Sequence, residues 1–192
     1  MSSIPKLLIL SGLALCTLNG FGQRTYKAHS VLASGNWYQL SVNAEGVYRM
    51  DVPFLNSLGI TGSIPSAQVR LFGNGGQMLS EANAGPWRDD LVENAIMVVD
   101  GGDGILNGSD YILFYATGPD KWINDSINQR FTHQENIYSD RSWYFLSVGG
   151  SGKRIPDSPI FSSPNVTVNS FSERYVHELD TVNFLRSGKE WF

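Results

Sequence analysis

Turn-forming residues divide this sequence into short segments, and that division limits the folds it can adopt. Glycine occurs 20 times, and its clusters at residues 73–76 and 100–104 allow backbone conformations that other residues rarely adopt. Long runs rich in alanine, glutamate, lysine and leucine are missing, whereas aromatic residues reach 12% of the chain. We therefore predict a mainly β protein, an antiparallel, jelly-roll-like β-sandwich of short strands joined by tight turns.

Seven segments have the residue pattern of strands. They are residues 37–42, 46–50, 69–72, 91–99, 111–115, 141–148 and 166–171. The first two flank a turn at residues 43–46 and are predicted to pair as a hairpin. After them, Asp51 is a predicted N-cap, Pro53 falls in the first turn and Gly59 follows the last turn. This pattern predicts one short helix near residues 51–58.

The N-terminus has the pattern of a secretory signal peptide. Lys6 precedes the apolar residues 7–15, and small residues lie just before the predicted cleavage point. We therefore predict that residues 1–22 are removed, with an uncleaved anchor or a buried strand as alternatives. Lipid attachment at Cys16 is disfavoured, because Leu15 stands where a small residue is required. Since Cys16 is the one cysteine, the mature chain would lack disulfides and thiol chemistry.

Charge and hydrophobicity argue against two kinds of partner. With 18 acidic and 14 basic residues the net charge is −4, so there is no excess of basic residues with which to bind nucleic acid. No apolar run after residue 22 reaches the roughly 18 residues of a membrane-spanning helix. We therefore predict neither nucleic-acid binding nor a transmembrane segment in the mature chain.

The composition changes near residue 150. Residues 149–159 are rich in glycine, serine and proline and poor in large apolar side chains, as linkers and long loops are. We predict a β-sandwich domain over residues 23–150. Residues 151–192 are predicted to be a linker and the start of a following β segment.

The acidic loop at residues 100–110 is the candidate metal site of the sequence. Asp103, Asn107 and Asp110 match positions of the calcium-loop template, but Val99 and Gly101 stand where further ligands are needed. We therefore favour a turn in which the Asp and Asn side chains bond backbone amides, with weak calcium binding as the alternative. No other cofactor is predicted.

Catalytic motifs are not recognisable in the sequence. His29, His133 and His177 lack the spacing of a metal site, and neither Gly-x-Ser-x-Gly nor a phosphate-binding glycine loop occurs. The tryptophans and tyrosines of predicted strands are expected to pack in the core or across strands. Trp87 and Trp122 are predicted to lie in loops, where they are candidate ligand contacts.

Ten short strings occur in a distinctive order and spacing. They are GNWY at 35–38, GVYR at 46–49, RLFGNGG at 70–76, DDLVEN at 89–94, DG at 103–104, DYILFY at 110–115, GPDKW at 118–122, NIYSD at 136–140, YFL at 144–146 and LRSGKEW at 185–191. Together they resemble the N-terminal region of the type IX secretion system sortases, which are gingipain-like cysteine peptidases. Each string is common by itself, so the resemblance depends on their order.

The resemblance implies the front of a longer cell-surface enzyme. Members of the family remove the C-terminal sorting domain from exported cargo and attach the cargo to lipopolysaccharide at the outer-membrane surface. Their catalytic cysteine and histidine lie in a caspase-like domain downstream of the matched region, and this chain has no cysteine after Cys16. We therefore expect a truncated, non-catalytic, propeptide-like module. Its expected partners are the downstream peptidase domains of its own parent chain, followed by other components of the secretion system.

Two alternatives remain open. A secreted glycan- or protein-binding β-sandwich without an enzymatic parent would use Trp87 and Trp122, with charged residues such as Asp120 nearby. The strings Asp-Ser-Ile at 125–127 and Asp-Thr-Val at 180–182 also match an O-glycan acceptor pattern seen in related bacteria.

Overall fold

A computed structural model describes residues 24–156, 166–170 and 174–177, together with Val182 and Arg186. The chain divides into two units, Met1–Ser30 and Val31–Phe192. In the first unit the described residues 24–30 are exposed and form neither helix nor strand. The predicted signal peptide and Trp191 lie outside the described residues.

The described part of the second unit contains eleven strands and one short α-helix. The elements are β1 (Tyr38–Val42), β2 (Gly46–Asp51), α1 (Val52–Ser57), β3 (Ile64–Pro65), β4 (Val69–Phe72), β5 (Glu93–Asn94), β6 (Met97–Val99), β7 (Ile105–Leu106), β8 (Tyr111–Ala116), β9 (Lys121–Asp125), β10 (Arg130–Gln134) and β11 (Ser142–Val148). Single 3-10 turns occupy Val31–Ala33 and Ser66–Gln68. The predicted mainly β class with one short helix is confirmed.

Two antiparallel sheets form the body of this unit. One has four strands in the order β1-β11-β4-β5, and the other has three in the order β2-β8-β6. The first strand pairs with the last and the second strand pairs with β8, so β1 and β2 lie in different sheets. The arrangement of the two antiparallel sheets is sandwich-like. Two smaller pairs, β3-β7 and β9-β10, are attached to it.

The inner faces of the two sheets share one hydrophobic core. Strand alternation turns Leu40 and Leu71 inward from the four-stranded sheet, and Met50 and Phe114 inward from the three-stranded sheet. Phe114 meets the ring of Tyr144 on β11 edge to face, with ring centroids 5.6 Å apart. Each fully buried side chain of this size contributes about 1.5–3 kcal/mol to folding. The core therefore holds the two sheets together.

Tyr144 also satisfies backbone groups at the end of β8. Its hydroxyl accepts a hydrogen bond from the Thr117 amide at 2.9 Å. Gly73 lies against the Tyr144 ring, where an added Cβ would overlap the ring carbons. A glycine is therefore required at this position for the ring to reach the core.

The helix follows the signals read from the sequence. The Asp51 carboxylate accepts a hydrogen bond from the Phe54 amide at 3.0 Å, which is N-capping geometry. Leu55 faces the core with 1% of its surface exposed. Gly59 follows the helix with φ of +92°, as expected for a C′ residue.

The predicted hairpin of the first two strands is wrong, although both strands exist. β1 pairs with β11, and β2 pairs with β8, so residues 43–45 cross from one sheet to the other. The crossing places Leu40 and Met50 in the same core from opposite sides. Local alternation identifies a strand and its buried face, whereas the pairing partner depends on the whole chain.

The strand predicted over residues 91–99 is two short strands in different sheets. β5 pairs with β4 in the four-stranded sheet, and β6 pairs with β8 in the three-stranded sheet. Ile96 lies between them and is fully buried. The residue pattern of the segment cannot reveal such a transfer, because it indicates residues that form strands without indicating which sheet each residue joins.

The segment after β11, residues 149–155, is hydrogen-bonded to the sandwich; we call it the clamp segment. The Gly149 amide donates to the Gln68 carbonyl at 2.9 Å, and the Gly152 amide donates to the Ala67 carbonyl at 3.1 Å. Farther on, Ile96 forms a parallel bridge with Arg154. These contacts extend the packing of the sandwich to Ile155. Beyond it, the described residues 166–170 form no strand, although one was predicted over residues 166–171.

Two charged side chains hold the clamp segment. The Arg154 guanidinium donates to the carbonyls of Ser66 at 2.6 Å and Val69 at 3.1 Å. The Glu93 carboxylate accepts from the Lys153 amide at 2.8 Å and from Arg70 at 2.8 Å. Burial pushes the pKa of Glu93 upward, but these hydrogen bonds and the neighbouring positive charges outweigh it and lower the pKa below its usual value.

We predict that Arg154→Ala destabilises the protein by about 1–3 kcal/mol, since two buried carbonyls lose their donor. Urea unfolding of the variant and the parent protein measures this difference. Arg130→Ala is the matched control, because the Arg130 side chain is 66% exposed and its ion pair with Asp125 spans 3.5 Å. The control should cost less than about 0.5 kcal/mol. Equal effects of the two substitutions would contradict the role of Arg154.

The lowered pKa of Glu93 predicts a specific acid sensitivity. Its carboxylate stabilises the fold at neutral pH, and that contribution is lost as the pH falls below the ordinary value of 4.5. Glu93→Gln should therefore be less stable than the parent protein at neutral pH, and the difference should shrink between about pH 5 and pH 3. Urea unfolding at a series of pH values measures it. A difference independent of pH would contradict this assignment.

Candidate functional site

The predicted calcium residues lie together in the loops on either side of β7. The Asp103 carboxylate accepts from the Ile105 amide at 2.9 Å and from the Asn107 side chain at 3.2 Å. The Asp110 carboxylate accepts from the Asn107 amide at 2.9 Å. These are the side-chain-to-amide contacts expected of a turn, and both Asp103 oxygens are engaged by N–H donors.

The start of the same loop is also held by hydrogen bonds. The Ser66 side chain and the Gly102 amide donate to the Asp100 carboxylate and hold its pKa below the usual value. Gly102 and Gly104 have φ of +87° and +80°, which glycine adopts without strain. Among the described residues, no group of three or more His, Cys, Asp or Glu side chains is arranged to hold a metal ion. The contacts of the loop are therefore those of a structural turn.

The two candidate tryptophans occupy different environments. Trp87 lies, as predicted, in the loop between β4 and β5, and 38% of its surface is exposed. Trp122 does not lie in a loop, as was predicted, but in strand β9. Gly118 and Pro119 come shortly before β9, and the polar residues of β9 have low strand propensity. Pairing with β10 overrides that preference.

The β9-β10 pair gathers aromatic side chains on one of its faces, which we call the hairpin face. In the antiparallel register Trp122 stands opposite His133, and Asn124 stands opposite Phe131. The rings of Trp122 and His133 have centroids 4.9 Å apart. Phe131 remains 51% exposed. His133 was expected to be a surface or half-buried hydrogen-bonding residue and not a metal ligand. Phe131 was not predicted as a contact, although alternation along β10 puts both residues on one face.

A cation and a carboxylate border the hairpin face. The Arg174 guanidinium lies 5.4 Å from the Trp122 ring centroid and 4.9 Å from that of Phe131. On the other side, the Asp120 carboxylate lies 3.9 Å from the His133 ring nitrogen. Exposed rings bordered by charged groups can stack on a sugar or a peptide side chain and hydrogen-bond it. Arg174 has no sequence signal, because about fifty residues separate it from the rings it covers.

The other aromatic residues divide between core and surface. Tyr144 is buried, as expected for a strand residue, and Trp37 packs edge to face on Phe72 at 5.1 Å. Trp143 is 44% exposed on the outward side of β11, opposite Ser41 of β1, and does not lie in the core. Its neighbours on the strand, Ser142 and Tyr144, take the inward positions. Because successive side chains of a strand point to opposite faces of the sheet, Trp143 cannot be buried on the face that Ser142 and Tyr144 occupy.

No family model matches the sequence, and no curated protein matches it. Among solved structures, the chain is similar to the crystal structure of dimeric latent PorU from Porphyromonas gingivalis, with 28% sequence identity and a TM-score of 0.52. The match covers 72% of this chain and 12% of the PorU chain. The similarity supports a PorU-like fold. In the described part of the chain, no helix has the length and apolar character needed to span a membrane.

Proposed function

We propose that this chain is a non-catalytic β module of a larger cell-surface protein related to PorU. The observation that carries the proposal is the similarity to PorU, at 28% identity over 72% of the chain. Because the matched part is 12% of the PorU chain, most of such a parent lies outside the module. The resemblance of the ten strings to the N-terminal region of type IX secretion sortases supports the same assignment.

Within such a parent the module would have a structural role. The chemistry of the sortase family needs a cysteine and a histidine of a downstream caspase-like domain, which would cleave sorting domains from cargo and attach the cargo to lipopolysaccharide. The propeptide-like module would pack against that domain, assisting its folding or limiting access to its site. The clamp segment supports this role, because hydrogen bonds hold residues 149–155 against the sandwich where the chain leaves it.

The proposed location follows from the same parent. A signal peptide at residues 1–22 would direct export through the inner membrane, and the mature protein would reach the outer-membrane surface from the periplasm. At the surface its main partners would be the downstream peptidase domains of its parent chain, and other components of the secretion system would be further partners. Calcium at Asp103, Asn107 and Asp110 is not needed for this role.

The proposal predicts a longer gene product. The reading frame should continue past the codon for Phe192 and encode a caspase-like domain with a cysteine and a histidine. An antibody against residues 24–156 should detect an outer-membrane protein much larger than 21.2 kDa, the mass of the 192 residues. A stop codon directly after Phe192, with a product of that size or smaller, would overturn the proposal.

A second candidate function is glycan or protein binding by a module without an enzymatic parent. The hairpin face favours it, because Trp122, His133 and the exposed Phe131 lie together beside Arg174. Ring stacking on the face of a sugar contributes to such binding, and flanking charged groups orient it. Trp87 is the other candidate contact, from the loop before β5.

This second function predicts ligand-dependent fluorescence. Titration with glycan released from lipopolysaccharide should change the tryptophan emission, and Trp122→Ala should weaken binding by about tenfold, the effect of losing about 1.4 kcal/mol of stacking. Trp143→Ala is the matched control, since Trp143 is 44% exposed on β11 but belongs to the outward side of the four-stranded sheet. A flat titration, or equal weakening by both substitutions, would contradict glycan binding at the hairpin face.

A further inference from the structure

The outward side of the three-stranded sheet is exposed although most of its side chains are apolar or aromatic; we call it the outer face. Its residues are Val47, Arg49 and Asp51 of β2, Tyr111, Leu113 and Tyr115 of β8, and Met97 and Val99 of β6. Exposure reaches 70% for Val47, 53% for Tyr115 and 45% for Met97. The register makes these residues neighbours, since Val47 stands opposite Tyr115 and Leu113 stands opposite Met97. Contiguous apolar surface of this kind marks an interaction site.

The polar groups on this side are paired with one another. The Arg49 guanidinium lies 4.2 Å from the centre of the Tyr111 ring. The Tyr115 hydroxyl donates a hydrogen bond to the Glu45 carboxylate. The Asp51 carboxylate accepts a hydrogen bond from the Phe54 amide. A partner that covers the outer face therefore meets mainly aliphatic and aromatic surface, and each charged side chain there already has a contact within the module.

The clamp segment brings the following chain to an edge of the outer face. The bridge between Ile96 and Arg154 is parallel, so the clamp segment runs in the same direction as the chain entering β6. The Ile155 amide donates to the Ile96 carbonyl at 3.0 Å, and Pro156 comes next. Within residues 149–156 no further backbone hydrogen bond joins the clamp segment to β6, so the contact ends where Met97 begins the strand.

A later part of the same chain contacts the neighbouring hairpin face. Arg174 covers Trp122 and Phe131 there. Its charge also acts on Tyr115 of the outer face: the hydrogen bond to Glu45 raises the pKa of Tyr115, and Arg174 opposes that increase. The chain beyond the clamp segment thus returns to the β9-β10 pair.

We propose that the outer face is the docking surface for the part of the same polypeptide that follows this module in its longer parent. This inference rests on the proposed function. We favour this occupant over a separate partner because the clamp segment brings the chain to the edge of the sheet at β6. A domain that follows in the same chain is tethered there, and its effective concentration at the outer face is therefore high. A second copy of the module is the competing occupant.

Methionine oxidation by hydrogen peroxide tests the inference, with the longer gene product compared to the 192-residue chain. Met97 should oxidise severalfold more slowly in the longer protein, because the docked domain covers it. Met50 is 2% exposed and should resist in both proteins. Met78, which is half-buried in the loop after β4, should oxidise alike in both and is the matched control.

The outcomes separate the inference from the proposed function. Equal oxidation of Met97 in the two proteins would overturn the docking surface and leave the PorU-related parent intact. If Met97 of the 192-residue chain oxidises more slowly as the protein concentration rises, the outer face binds a second copy and the inference is overturned. If no longer product exists, the proposed function and the inference fail together.

A charged substitution gives a second readout. Val47→Glu places a carboxylate on the outer face at a side chain already 70% exposed, so the isolated chain should keep its unfolding temperature. In the longer protein it should lower the unfolding temperature and speed proteolysis between module and following domain. Ile127→Glu, at the 91% exposed hairpin tip, is the matched control and should do neither. The same result for both variants would contradict docking at the outer face.

Discussion

Burial of two inner sheet faces against each other is the constraint on which this structure depends. The strands are two to seven residues long, and neither sheet could be stable without the other. The contact between Phe114 and Tyr144 joins the sheets, and the Tyr144 hydroxyl satisfies an amide where β8 ends. Because successive side chains of a strand point to opposite faces, the neighbours of each side chain buried in this core point outward. The surfaces available for function are thereby set by the core.

The same constraint links the clamp segment to the outer face. Ile96 is buried where the chain passes from one sheet to the other, and its backbone is the partner of Arg154 in the clamp segment. The chain is therefore held beside β6 instead of leaving the sandwich freely. Met97 follows immediately and faces outward. The arrangement suits a module joined firmly to a following domain, which is the role proposed from the similarity to PorU.

Sequence patterns predicted what is local and missed what depends on distant partners. The N-cap at Asp51, the strand over residues 142–148 and the Asx contacts of Asp103 depend on near neighbours, and the structure contains all three. The predicted pairing of β1 with β2 was wrong, because a short connection can join two strands of the same sheet or two strands of different sheets. For the candidate site, Trp122 was predicted to be a ligand contact, but neither its strand nor its neighbour Arg174 was predicted.

The sequence by itself determined the mainly β class, the short helix and the turns, since alternation, capping residues and glycine act within a few residues. Only the tertiary structure determined which strands pair, where residues 91–99 change sheets and how Arg154 reaches two carbonyls of an earlier turn. It also determined that Arg174 lies over both Trp122 and Phe131, and which apolar side chains lie together on the outer face. These features join residues far apart in the chain, and their free energy comes from burial and hydrogen bonds that exist only after the sheets have packed.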